Sequence, residues 1–177
     1  NDERSYIRAR RNSRMDIIDS DISYLGNDFM KLEKGIQRGG GTYGISWRIP
    51  DNRFGVEIAT GWVENSQFHH NYFGGYTFGA SGMTWRGNRF YENDVYGLDP
   101  HDDSNNALIE NNTFEKNGRH GFVMSKRCNY NIIRNNVSFS NKLHGFMLHQ
   151  GSNFNLVENN TAYDNVDNFV IFQSQFN

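Results

Sequence analysis

The chain has 177 residues and a mass of 20.5 kDa, the size of one domain with room for a sizeable core. Eighteen Lys and Arg stand against 20 Asp and Glu, and the net charge of −2 excludes a nucleic-acid binder held by bulk charge as well as an acidic disordered tail. Aromatic residues make up 15%, too many for a disordered chain. No apolar run reaches the roughly 18 residues of a membrane-spanning helix.

In chain order, NDERSYIRARRN at the start carries no apolar signal region; a signal removed, or a piece cut from a longer protein, is the expectation. IIDSDISYLGNDF (17–29) reads as strand, turn and strand. LEKGIQRGGGT (32–42) and IPDNRFG (49–55) read as loop-rich insertions on either side of YGISWR (43–48), which resembles YGLDPH (96–101). Farther on, Asn71, Gly75 and Tyr76 match Asn93, Gly97 and Leu98 at a step of 22. From there the step is 24: Asn93, Asn117, Asn141 and Asn165 form one column, and Asn88, Asn112, Asn136 and Asn160 another. Leu98, Phe122, Phe146 and Val170 form an apolar column in phase with them. Cys128, the single cysteine, excludes an intrachain disulfide framework and a cysteine zinc cluster, and reads as a packed or surface thiol. The last unit, FVIFQSQFN, has no polar cap, which predicts truncation.

There are 25 Asn, about 14% of the chain, and only 2 Pro. Asn is poor in helices and strand interiors but favoured in turns, so its regular spacing marks regular turns. Each unit is too short for a propeller blade and lacks a leucine ladder or helical periodicity. A unit of 22–24 residues with short apolar strands fits one coil of a parallel β-helix, whose coils bury their apolar faces only by stacking. The expected fold is all-β, a single domain over 1–177: a right-handed parallel β-helix of about seven coils, the hand following from parallel crossovers. Asn side chains at equivalent turns are expected to form amide ladders. The Asn-X-Ser/Thr triplets at Asn111, Asn136 and Asn159 fall in turn columns and read as repeat residues, not glycosylation sites.

In a solenoid, chemistry shows where one coil departs from its neighbours. After the column glycine the strands read LDPH (98–101), FVMS (122–125), FMLH (146–149) and VIFQ (170–173). Alternation places Leu98 and Pro100 inward and Asp99 and His101 outward. The same face collects Ser125, His149, Asp102, Lys126, Arg127 and the pre-glycine residues Tyr96, His120 and His144. Pro100 removes a ladder donor within the strand, which ties its backbone to the neighbouring polar residues. Two-coil separations are too wide, and HxH or HExxH spacing too absent, for a transition-metal site; calcium on turn carboxylates stays open. Arg119, Lys126, Arg127 and Arg134 are expected to form a cationic groove, with Arg48 or Arg86 as the alternative source of charge.

YGLDPHDD (96–103) resembles the hallmark of the mannuronan (alginate) C5-epimerases, a YG-x-DPH sequence on a right-handed β-helix. TYGISWRIPDNRFG and TGWVENSQFHHNYFGGYTF are similar to the family's preceding coils, and HGFVMSKR and NKLHGFMLH to the following ones, so the resemblance covers roughly residues 40–172. It implies His101 as a proton-transfer residue, Tyr96 as the second acid/base group and Asp99 beside the substrate carboxyl. It implies Lys126, with Arg127 adjacent, and His144 as binding residues; His149 and Arg48 are expected to join them. The sequence departs from some relatives in having EIAT before Gly61–Trp62, without a lysine, and Ser125 where others carry an aspartate. The implied reaction removes the C5 proton of D-mannuronate in the polymer and returns one to the opposite face, giving L-guluronate. This needs a base, an acid and positive charge or donors at the carboxylate, with Tyr96 lowered in pKa by nearby cations. No organic cofactor is implied. The implied partner is an anionic polysaccharide, with no nucleic acid and no membrane span, for a secreted or periplasmic monomer. A polyuronate lyase acting by β-elimination and a non-catalytic carbohydrate-binding β-helix are the alternatives.

Overall fold

Short apolar strands punctuated by left-handed turn residues stack best coil upon coil. The computed structural model, which describes residues 4–27, 43–50 and 53–177, contains three long parallel sheets and no α-helix among those residues. The first sheet has seven strands in chain order: Ile7–Arg10, Gly44–Arg48, Phe73–Phe78, Tyr96–His101, Phe122–Ser125, His144–His149 and Asp167–Phe172. The second runs from Ile17–Ile18 through Trp62–Glu64, Thr84–Arg86, Leu108–Glu110 and Ile132–Arg134 to Leu156–Glu158. The third stacks a six-strand series from Asp21–Ser23 to Thr161–Tyr163 in the same way. This is a parallel β-helix.

The coil count differs from the expected seven. About five turns have the regular length, with registers such as Thr84↔Trp62, Thr84↔Leu108 and Ile132↔Leu156. Before them one step is far longer, Ile17 pairing directly with Val63. The expected insertion at 32–42 lies outside the described residues, as do residues 51–52 of the second one. Two columns also shift by one residue from the sequence alignment. Leu98 pairs with Gly75 and Asp99 with Tyr76, and Phe146 pairs with Phe169 where Val170 was expected. The chain has one residue fewer between Asn71 and Gly75 than between Asn93 and Leu98, and such a slip moves every side chain to the other face. Tyr76 and Val170 therefore belong to the outward column.

The interior holds Leu98, Phe122 and Phe146 in line, with Phe68, Phe90 and Phe114 stacked from the third sheet at 4.9 and 5.2 Å between ring centroids. Gly75 interrupts the first column because a Cβ there would lie 3.0 Å from Trp85 Cη2. Below Phe114 the third-sheet column shrinks to Ser138 and Ala162, and Phe146 leans into the space, its centroid 6.1 Å from that of Phe114. Burial of these side chains supplies most of the driving force for stacking.

The turns are built by pairs of residues. Glu92, Lys116, Ser140 and Asp164 take left-handed φ of 51°, 52°, 54° and 52°, and each precedes a ladder Asn. The Asn side chain then turns inward. Asn117 Nδ2 donates to Phe90 O at 3.1 Å and to Asn141 Oδ1 at 2.9 Å, while its Oδ1 accepts from Asn93 N at 3.2 Å and Asn93 Nδ2 at 2.9 Å. Asn88, Asn112, Asn136 and Asn160 repeat the pattern, and Asn131, Asn155 and Asn177 add a third ladder that the sequence reading missed. The ladder amides and the backbone groups that they reach are thereby satisfied within the protein. Asn136 is fully buried in its ladder, while Asn111 and Asn159 occupy left-handed turn positions, so all three triplets are accounted for by the repeat.

Candidate active site

The unusual residues converge on the outward face of the first sheet. One outward column reads Ser46, Tyr76, Asp99, Val123 and Met147; the next reads Arg48, Phe78, His101, Ser125 and His149. Arg48 is thus the positional equivalent of His101 two coils upstream, as the likeness of YGISWR to YGLDPH suggests. Pro100 faces inward. The strand's pairing with Phe73–Phe78 runs through to His101, but its pairing with Phe122–Ser125 is made only at Leu98 and His101. The missing N–H of Pro100 coincides with that interruption, beside Asp99.

Asp99 lies in the floor of the site, 3% exposed, between Tyr76 and Val123, which are equally covered. Its Oδ1 has no hydrogen-bond partner in the protein. Burial, followed by repulsion from Asp102, pushes its carboxyl well above the usual carboxylate range, and Lys126 offsets only part of this. A neutral acid is favoured there, able to donate a hydrogen bond.

His101 closes the end of the strand. Its Nδ1 is hydrogen-bonded to Asp102 Oδ2, and its ring lies nearly parallel to that of Phe78, with centroids 6.4 Å apart. Burial lowers its pKa, with Asp102 opposing and Lys126 and Arg48 adding to the lowering. The imidazole is therefore neutral near pH 7, the state in which it accepts a proton.

Tyr96 is packed between Phe73 and His120, at 4.7 and 5.0 Å between centroids, with the Arg119 guanidinium 5.7 Å over its ring. The expectation that cations lower its pKa is overturned. Burial and the charge of Asp99 raise it, and Arg119 offsets them only in part. The phenol stays protonated and suits the acid role. His120 and His144 continue the stack at 4.8 Å, and His144 Nδ1 lies 3.0 Å from Asp167 Oδ2. Burial, and then His144, push His120 down to about 3, so it carries no charge near neutrality.

Lys126 and Arg127 form the turn of the next coil, both at φ 60°. Lys126 Nζ lies 3.8 Å from Asp102 Oδ2. Arg127 is held by Asp103, with Nη2–Oδ2 at 2.6 Å, and lies 3.6 Å from Asp102 Oδ1. Arg48 stacks on Phe78 at 4.6 Å and on Tyr76 and Tyr43 at 5.7 and 5.6 Å, its buried Nη1 lacking a protein hydrogen-bond partner. His149 sits two coils from His101, past Ser125, with its ring 5.4 Å from Phe172. Arg134 and Arg86 do not join the patch. They lie on the second sheet in an alternating charge column, where Glu110 bonds Arg86 at 2.6 Å and Arg134 at 2.8 Å. Among the described residues no group of three or more His, Cys, Asp and Glu is arranged to hold a metal ion.

The sequence reading missed the aromatic floor of Tyr43, Tyr76 and Phe78. The signal for it was the likeness of YGISWR to YGLDPH, had the one-residue slip at Gly74–Gly75 been recognised.

The parallel coils place the chain in a known class. It matches the family described as the right handed beta helix region over residues 5–162, and it belongs to that family. Within the class its similarities are to alginate-modifying proteins. It is 41% identical over 54 residues to the mannuronan C5-epimerase of Pseudomonas fluorescens, covering 30% of this chain and 10% of that protein. It is 40% identical over 53 residues to mannuronan C5-epimerase AlgG of Azotobacter vinelandii, with the same 30% and 10% coverage. The crystal structure of the periplasmic alginate epimerase AlgG is similar over 96% of this chain and 39% of that one, with a TM-score of 0.85 at 27% identity. The matched sequence thus spans about a tenth of the curated relatives.

Proposed function

We propose that the chain carries the active site of a mannuronan C5-epimerase, converting D-mannuronate to L-guluronate residues within polymeric alginate. The observation that carries this reading is the placement of Tyr96, Asp99 and His101 on one outward patch. Each has its pKa displaced by burial toward the state the chemistry needs. The similarity to alginate epimerases supports the substrate class.

The C5 hydrogen is α to a carboxylate and only weakly acidic. Its removal puts a second negative charge on that carboxylate, so donors there matter most in the transition state. Neutral His101 takes the proton. Protonated Tyr96 supplies one from the opposite face of the ring, inverting C5. Asp99, buried and inclined to hold its proton, donates to the substrate carboxylate through an otherwise unpartnered carboxyl. Arg48, Lys126, Arg127 and Arg119 supply positive charge around the polyanion, Arg48 being held over the buried rings of Tyr76 and Phe78. His144 and His149 border the neighbouring coils. No organic cofactor enters this reaction, and the setting in which the polymer is met is the periplasm or the extracellular space.

Proton NMR of polymannuronate incubated with the protein tests the reading. Guluronate anomeric signals should appear with time. Their absence overturns it, and ultraviolet absorbance from unsaturated chain ends would identify a lyase instead.

A further inference from the structure

We propose that Asp102 is a positioning residue for His101: its carboxylate holds the imidazole proton on Nδ1 and leaves Nε2 as the atom that takes the substrate proton. The proposal rests on the reading of His101 as the base.

Asp102 directly follows the strand Tyr96–His101 and has φ 38°, while Asp103 has φ 57°. Two successive left-handed residues are uncommon and turn the chain sharply. Here the turn brings the Asp102 side chain back against the ring of the preceding residue, where it is only 13% exposed. Its Oδ2 accepts from His101 Nδ1. Oδ1 faces Arg127 Nη2 at 3.6 Å, and Lys126 Nζ stands 3.8 Å from Oδ2. Asp102 is therefore engaged from three directions, by His101, Lys126 and Arg127.

A neutral imidazole has one N–H and one lone pair, and an ionised carboxylate only accepts. The Asp102 contact therefore fixes the N–H at Nδ1 and the lone pair at Nε2. During abstraction one proton passes from C5 to Nε2. The C–H electron pair moves into the substrate carboxylate, and the resulting imidazolium is stabilised by Asp102 on its far side. The other groups that act on His101 are Lys126 and Arg48, which both disfavour its charged form, while Asp102 favours it. The rings of Tyr76 and Phe78 also face it, at 5.8 and 6.4 Å between centroids.

The test uses the full chain with Asp102→Asn and Asp102→Glu. Asn preserves the shape but offers an N–H as readily as an oxygen, so the tautomer is no longer enforced. Turnover on polymannuronate should fall at least about 10²-fold in Asp102→Asn with KM changed less than about 3-fold, and Glu should restore a large part of it. The acid limb of the kcat profile should move to lower pH in Asp102→Asn. Long-range proton–nitrogen correlation spectra of His101 should show the Nδ1–H form in the wild type and a mixture in Asp102→Asn. Removing the charge of Asp102 moves the pH limb whatever its role, whereas a merely structural ion pair would leave the tautomer unmoved. Turnover in Asp102→Asn within about 3-fold of wild type, or an Nε2–H tautomer in the wild type, overturns the proposal. If the wild type makes no guluronate, the epimerase reading fails, and the nitrogen spectra alone decide whether Asp102 fixes the tautomer.

Discussion

Replacing Asp99 with Asn should change the pH dependence of stability more than any other single substitution in the site. The Asp99 carboxyl is 3% exposed, and burial sets its folded pKa well above the unfolded value. Between those two values the folded chain holds a proton that the unfolded chain has released. The unfolded state then binds fewer protons, so stability falls as pH rises, by up to about 1.4 kcal/mol per pH unit. The contribution is fully present below the unfolded pKa of about 3.9 and is lost as pH climbs toward the folded value. Across the window between the two values the loss accumulates at that slope. Asn has the same shape and no titration, so its curve lacks this slope. Urea unfolding followed by fluorescence of the buried Trp47 and Trp85, at several pH values for both chains, measures the difference. Parallel curves for wild type and Asp99→Asn would refute the idea that burial governs this carboxyl.

Three further outcomes are expected. Asn117→Ala removes four buried side-chain hydrogen bonds and orphans groups on two neighbouring coils, so it should cost about 3–5 kcal/mol in urea unfolding. Asn153→Ala, which loses only the exposed bond from Gln175 N, should cost less than about 1 kcal/mol; equal costs would dismiss the ladder as a stabilising element. His101→Asn should abolish solvent deuterium entry at C5 and lower turnover at least about 10²-fold, and wild-type kcat should hold below pH of about 6.5 because burial lowers the His101 pKa. Near-normal turnover would shift the base role to Tyr96. Lys126 and Arg127 changed together to Ala should raise KM for the polymer and flatten its salt dependence, since charges at that turn are screened within about 10 Å at 0.1 M salt; an unchanged salt response would place the groove at Arg48.

The fold was legible because its determinants recur. Asn117, Gly121 and Phe122 have counterparts one coil away on both sides, so spacing alone placed them. Asp99 and His101 were legible as a break in that recurrence. Where the recurrence slipped by one residue, at Gly75 and again at Phe169, alignment put Tyr76 and Val170 on the wrong face. The pKa of Tyr96 was misjudged for a different reason. Charge is visible in a sequence, whereas the depth at which Phe73 and His120 enclose the phenol is not. Arg134 illustrates the same limit. It is close in sequence to Lys126 and Arg127, yet it is carried around the coil to another sheet and neutralised by Glu110.

The Asn ladders also restrict how such a molecule can change in size. Excising residues 108–131 would bring Ile132 against Thr84, the place Leu108 now holds, and would join Asn136 to Asn88 and Asn141 to Asn93 with every partner conserved in kind. A difference of one or two residues is instead absorbed within its own coil, as the steps of 22 from Trp62 to Thr84, 23 from Phe146 to Phe169 and 24 from Thr84 to Leu108 show. The outward face therefore lengthens only by whole coils, each adding about 4.8 Å. The length of polymer that the face can accompany becomes a matter of counting cassettes, and it can vary from one descendant to another while the coil bearing His101 is left untouched.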